Sequence, residues 1–68
     1  MGVEEFPFSG VVCKPTNSNR SKCKAYYIGT REGEMESFFI TVELKKSPAE
    51  AERYLEDLLK DSVLIEEF

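Results

Sequence analysis

The sequence predicts a small α+β domain with the element order β-β-β-α-β, and three patterns carry this prediction. Apolar and polar side chains alternate strictly from Ser37 to Lys45, as in a strand with one buried face. Ser47-Pro48-Ala49-Glu50 has the pattern of a helix start, and apolar residues at helical spacing follow it. Near the N-terminus, two runs rich in β-branched and aromatic residues flank a polar segment, which favours two paired strands.

The first two strands are predicted to form a β-hairpin. The runs from Phe6 to Cys13 and from Cys23 to Ile28 supply the strands. The segment between them, from Lys14 to Lys22, contains Pro, Asn and Ser, which favour turns and compete with regular backbone pairing. We therefore expect the hairpin to have a long, mobile and basic tip.

The third strand follows a predicted turn from Gly29 to Gly33, whose glycines permit positive φ. In the alternating segment the even-numbered residues 38–44 are apolar, so we expect them to face the core. The odd-numbered residues would then face solvent or a partner. Together the three strands form an antiparallel meander in this prediction.

The helix is predicted from Pro48 to Lys60. Ser47 and Glu50 form a capping box, in which the Ser47 hydroxyl accepts a hydrogen bond from the Glu50 backbone N–H. Pro48 occupies the first helical position, where no backbone donor is needed. The β-branched run from Val63 to Ile65 predicts a last strand, and a right-handed β-α-β connection would place it parallel to the third strand.

The predicted fold is a two-layer domain with one helix packed on one face of the sheet. The predicted core draws on every element: Phe8, Val12, Ile28, Phe38, Ile40, Val42, Leu44, Tyr54, Leu55, Leu58 and either Val63 or Ile65. The other face of the sheet has no second layer in this fold. An uncovered apolar face is where a partner is expected to bind.

The 68 residues are expected to form one domain, residues 1–68, with a thin core. The N-terminal segment has no basic region followed by an apolar stretch, and no apolar run reaches the roughly 20 residues of a membrane span. We therefore expect a soluble, cytoplasmic protein without membrane contact. The chain has no His and no Gln but many Glu and Lys, a bias typical of thermophile proteins.

The two cysteines, Cys13 and Cys23, lie at the ends of the two strands that we expect to pair. Their spacing is not that of a C-x-x-C redox motif, and without His or a second cysteine pair the chain has no tetrahedral zinc site. Two interpretations stay open. They are free thiols in a reducing compartment, or they form a disulfide that closes the hairpin.

Catalysis is not expected. No His is present to activate a nucleophile, and the acidic residues lie in polar stretches or at solvent-facing positions. Glu32, Glu34 and Glu36 alternate along the predicted hairpin edge, where their oxygens could hold a cation, but they lack the pattern of a calcium loop. A solvated edge is the simpler interpretation, and we expect no metal, cofactor or small-molecule substrate.

The leading functional hypothesis is a non-catalytic binding module that acts through protein–protein contact, with another protein or as a homodimer. The reason for this hypothesis is that a thin core with one helix leaves one sheet face uncovered. Tyr27, Phe39 and Thr41 are the candidate contact residues on that face.

The alternative hypothesis is a nucleic-acid-binding module that uses the basic segment. The net charge of the chain is −4, yet the segment from Gly10 to Arg31 holds five cations and no acid, so the remaining residues carry −9. Cations beside Tyr26 and Tyr27 provide phosphate contacts and rings that accept bases. The candidate residues are Lys14, Arg20, Lys22, Lys24 and Arg31.

The predicted layout also bears on this alternative. The order of three strands and a helix over residues 8–60 resembles the DNA-binding domains of phage integrases and one type of plant DNA-binding domain. The residues at the helix start, Ser47-Pro48-Ala49-Glu50-Ala51, add to this resemblance. The resemblance lies in the order of the elements. It implies a nucleic-acid contact and assigns no individual site residue.

Overall fold

The structure, a computed structural model, describes residues 2–17 and 19–67. It contains β1 (Val3–Asn17), β2 (Arg20–Arg31), β3 (Glu34–Leu44), α1 (Pro48–Leu59) and β4 (Val63–Glu67). The element order and the α+β class are those that the sequence predicts. The molecule is elongated, with a longest dimension of 46 Å, because the first three strands are long.

The four strands form one antiparallel sheet in the order β3-β2-β1-β4. The predicted position of the last strand, parallel to the third, is therefore wrong. β4 pairs with the first residues of β1, from Val3 opposite Glu67 to Pro7 opposite Val63. β2 pairs with β1 only from Phe8 onwards, so β4 pairs with the part of β1 that has no β2 partner.

The direction of α1 explains this position. The backbone carbonyl of Lys46, just before the helix, accepts a hydrogen bond from the Ser21 hydroxyl at the start of β2. The backbone carbonyl of Ser62, just after the helix, accepts a hydrogen bond from the backbone N–H of Phe8, which lies farther along the sheet. α1 thus runs in the same direction as β2, and β4 continues that direction without the reversal that a strand parallel to β3 would need.

The basic segment is strand and not a long loop. β1 continues to Asn17 and β2 begins at Arg20, so the expected long loop from Lys14 to Lys22 is wrong. Lys14 pairs with Lys22, and the Asn17 side chain closes the turn by accepting a hydrogen bond from the Asn19 backbone N–H at 2.9 Å. Of the segment predicted as a loop, Ser18 lies outside the described residues.

The turn between β2 and β3 is also shorter than predicted. Glu32 and Gly33 have positive φ, 51° and 81°, as in the two-residue turns that match the twist of paired strands. Gly29 does not belong to this turn but lies within β2. A Cβ there would lie 2.6 Å from Cδ1 of Phe6, so the missing side chain makes room for the Phe6 ring.

The buried cluster contains residues from β1, β2 and α1, namely Phe6, Val11, Cys23, Ala25, Tyr27, Ala51 and Leu55. Phe38, Val42 and Leu44 of β3 pack against it as predicted, together with Phe8. Several predicted core residues are instead exposed: Val12, Ile28, Ile40, Tyr54, Leu58, Val63 and Ile65. Leu64 takes the place predicted for Val63 or Ile65.

A β-bulge causes the error at Val12. The register shifts between Phe8 and Gly10, so the buried side of β1 changes there from even-numbered to odd-numbered residues. Phe6 is buried before the bulge and Val11 after it, and Val12 consequently faces the other side. The inserted residue, Ser9, stabilises the bulge because its hydroxyl accepts a hydrogen bond from the Ile28 backbone N–H at 3.0 Å.

The helix begins at Pro48 as predicted, with Pro in its first turn, but the predicted capping box does not form. Ser47 makes no side-chain hydrogen bond to the helix, and its backbone carbonyl accepts from the Ala51 N–H at 2.8 Å. The helix also buries a narrower stripe than predicted. Ala51 and Leu55 are buried, one turn apart, whereas Tyr54 and Leu58 are exposed.

Candidate binding face

The alternation of β2 separates two chemically different faces of the sheet. Ser21, Cys23, Ala25 and Tyr27 are buried, and the residues between them point to the opposite side. We call that side the outer face. Its central part, here the outer patch, is formed by neighbouring residues of β1, β2 and β3: Val12, Lys14, Thr16, Lys22, Lys24, Tyr26, Phe39 and Thr41.

Three lysines are concentrated in the outer patch. Lys14 and Lys22 are direct cross-strand partners, and Lys24 lies two residues farther along β2. Like charges directly opposite each other on a sheet are destabilising. Glu43, opposite Lys22 on β3, offsets part of this repulsion, and an anion bound between the two ammonium groups would relieve the rest.

Two aromatic rings lie beside the lysines. Tyr26 and Phe39 are cross-strand partners, with ring centroids 5.8 Å apart and a tilt of 47°. The Lys24 ammonium lies 4.8 Å from the centroid of the Phe39 ring, within the range of a cation–π contact. Phe39 remains 53% exposed, so a ligand can reach its ring.

The outer patch is concave. A depression of about 490 Å³ is lined by residues of β1 and β2, namely Val12, Lys14, Thr16, Lys22, Lys24 and Tyr26. Its walls combine an apolar floor with cations and hydroxyl groups. No acidic side chain lines this depression among the described residues, and the nearest acid by register is Glu43, opposite Lys22.

A second depression, of about 530 Å³, lies at the same end of the molecule between the β1–β2 turn and the start of α1. Its lining is polar: Asn17, Asn19, Arg20, Lys45, Lys46, Ser47 and Glu50. It also holds three cations, but none of the described residues that line it is aromatic. We therefore take the outer patch as the candidate site.

The uneven charge of the sequence becomes a separation of charge along the molecule. The end with the β1–β2 turn carries six of the nine cations: Lys14, Arg20, Lys22, Lys24, Lys45 and Lys46. The opposite end, with the β2–β3 turn and β4, is acidic through Glu4, Glu5, Glu32, Glu34, Glu36, Glu66 and Glu67. The acidic majority of the chain thus lies away from the outer patch.

The structure divides the predicted contact residues between different places. Phe39 and Thr41 lie in the outer patch, but Tyr27 is only 5% exposed and belongs to the core. Its hydroxyl lies 2.8 Å from Ser62 Oγ, which itself donates to the Leu59 carbonyl. Since a serine hydroxyl has one hydrogen to donate, Tyr27 is the donor to Ser62. The placement of Tyr27 on the uncovered face is wrong.

The predicted basic residues are also divided. Lys14, Lys22 and Lys24 meet in the outer patch, whereas Arg20 lines the second depression. Arg31 lies at the acidic end, where its Nε is 3.7 Å from Glu36 Oε2. Among the described residues no cluster of acidic or sulfur side chains could hold a metal ion.

Cys13 and Cys23 are opposite each other in the β1–β2 register and form a disulfide, with Cα atoms 4.0 Å apart. The bridge lies on the buried face, since Cys23 has no exposed surface. Of the two interpretations that the sequence leaves open, the structure contains the disulfide. It fixes the strand pair whose other face bears the lysines.

Val12, Thr16 and Tyr26 are the outer-patch residues that were not among the predicted site residues. For Tyr26 a signal is present, because Lys22, Lys24 and Tyr26 follow each other at the period of two that places them on one face of a strand. For Val12 no local signal exists, since its side depends on the bulge at Ser9.

Comparison with protein families, curated proteins and solved structures gives no match for this chain. In residues 2–17 and 19–67, no helix has the length and apolar character needed to cross a membrane.

Proposed function

We propose that this chain is a non-catalytic binding module, and that its outer patch binds a partner with closely spaced negative charges and flat apolar groups. The observation that carries the proposal is the coincidence of three lysines with the exposed Phe39 ring and the half-buried Tyr26 ring on one sheet face. In this proposal α1 covers the buried face of β1 and β2, which leaves the outer patch free for the partner.

The proposal joins the two hypotheses drawn from the sequence. The protein-contact hypothesis used the uncovered sheet face, and the nucleic-acid hypothesis used the basic segment. In this proposal they form a single surface, because Lys14, Lys22 and Lys24 are strand residues. The ligand must therefore satisfy cations and apolar groups together.

An apolar contact with another protein fits this surface less well. Lysine is depleted in protein–protein interfaces, and three of the eight outer-patch residues are lysines. A symmetric homodimer would bring the same patch of two copies together, so that their lysines would repel each other.

Retention on immobilised heparin, used as a generic polyanion, tests the proposal. Two double variants each remove two cations from the same end of the molecule: Lys14→Ser with Lys22→Ser in the outer patch, and Lys45→Ser with Lys46→Ser outside it. Both have the same net charge. We expect the outer-patch variant to elute at clearly lower salt than the wild type, while the control elutes near the wild type.

Equal shifts for the two variants would show that retention follows net charge and not the outer patch, and would overturn the proposal. The melting temperature of each variant serves as the folding control. It should change little, because exposed charges contribute little to stability.

A further inference from the structure

We infer that the anionic partner of the outer patch is a single-stranded nucleic acid; this inference rests on the proposed function. A single strand is the polymer that presents regularly spaced phosphates together with unpaired bases. The outer patch presents the complementary groups, with lysines at one end and the rings of Tyr26 and Phe39, of which Phe39 is the exposed one, at the other.

The spacing along β2 supports this pairing. Lys22, Lys24 and Tyr26 occupy successive outer positions, and four residues of a strand span about 13 Å. The Lys14–Lys22 pair holds two cations at one end of this row, and the Tyr26–Phe39 pair holds two rings at the other. A strand lying along the row would contact the lysines through its phosphates and the rings through a base.

The state of Phe39 indicates unpaired bases and not a duplex. Its ring is half exposed, with the Tyr26 ring beside it and the Lys24 ammonium 4.8 Å from its centroid. A long flexible lysine side chain can move from the ring to a phosphate, which frees the ring for stacking. In a duplex the bases are already stacked on each other, so the rings of the outer patch would gain no partner.

The geometry also indicates binding without sequence preference. Aromatic stacking accepts every base, whereas sequence is read mainly by hydrogen bonds to base edges. The outer patch contains no Arg, Asn or Gln, the side chains that form two-point contacts with guanine or adenine. We therefore expect similar affinity for oligonucleotides of different composition.

Fluorescence polarisation with a labelled 15-nucleotide oligothymidine, at several salt concentrations, tests the inference. Three lysine–phosphate contacts predict that the logarithm of the affinity falls with the logarithm of salt with a slope of about −2. The Lys14→Ser, Lys22→Ser double variant should reduce the slope to about −0.7. A duplex of the same length should bind more weakly than the single strand.

Phe39→Ser isolates the contribution of stacking, and Tyr54→Ser is its matched control. Tyr54 of α1 is also an exposed ring, 46% exposed, with a lysine ammonium, that of Lys46, 5.2 Å from its centroid. Loss of base stacking should weaken binding of the oligonucleotide by about fivefold or more in Phe39→Ser. Tyr54→Ser should bind like the wild type.

The outcomes separate this inference from the proposed function. If heparin retention depends on Lys14 and Lys22 but Phe39→Ser binds the oligonucleotide like the wild type, the outer patch is an anion-binding face and the inference is wrong. The same holds if the duplex binds as tightly as the single strand, or if polyglutamate competes as well as the unlabelled oligonucleotide. The last result would identify an acidic protein segment as the partner.

Discussion

The two faces of the β1–β2–β3 sheet differ in burial and charge, although their residues alternate along the same strands. In β2 the buried side bears the small side chains Ser21, Cys23 and Ala25, while the outer side bears Lys22, Lys24 and Tyr26. Cys23 and Ala25 belong to the same buried cluster as Phe6 of β1 and Ala51 and Leu55 of α1. The larger outer side chains have no such cover.

Side-chain size alone therefore does not show which side of a strand is buried. A small core next to a helix is filled best when one layer contributes large groups and the opposing layer contributes small ones. Except for Tyr27, which is buried, the larger side chains of β2 from Lys22 to Tyr26 lie on the outer face. Stability should depend on the buried face, and binding on the outer face.

The largest expected effect separates two phenylalanines. Phe6 is completely buried and packs edge-on against Phe38, with ring centroids 5.0 Å apart, so Phe6→Ala should lower the free energy of unfolding by about 3–5 kcal/mol. Phe39→Ala, on the outer face, should lower it by about 1 kcal/mol or less. Urea denaturation of both variants measures the difference. Similar midpoints would contradict the assignment of the two faces.

The disulfide should have the next largest effect. The bridge joins residues 10 positions apart, and closing a loop of this size stabilises by about 3 kcal/mol in the chain-entropy model. Reducing agent should therefore lower the denaturation midpoint of the wild type. The double variant Cys13→Ala, Cys23→Ala should already show the lower midpoint and should not respond to reductant. A wild-type midpoint that is the same with and without reductant would show that the bridge contributes nothing.

The smallest of these effects compares neighbouring tyrosines. Tyr27→Phe removes the hydroxyl that donates to Ser62 and should cost about 1 kcal/mol, because the bond joins β2 to the end of α1. Tyr26→Phe, on the outer face, should change the free energy of unfolding by about 0.5 kcal/mol at most. Thermal denaturation followed by circular dichroism measures both. If Tyr26→Phe cost more, the hydroxyl of the outer patch would have a structural role that the proposed function does not include.

Local patterns in the sequence determined the elements of this protein. The alternation from Ser37 to Lys45 placed Phe38, Val42 and Leu44 on the buried side of β3, and Pro48 marked the start of α1. The clustering of five cations between Gly10 and Arg31 indicated an uneven surface. These features depend on backbone geometry or composition within a few residues, which a single sequence displays directly.

Which residues share a face and which strands are neighbours depends on how the whole chain folds. The bulge at Ser9 places Val12 on the outer face. The lysines lie beside Tyr26 and Phe39 because β1 and β2 pair almost to their connecting turn and β3 pairs with β2. The place of β4 followed from the direction of α1 and from the unpaired start of β1. Each of these outcomes is set by contacts between residues far apart in the chain, and local propensity carries no record of such contacts.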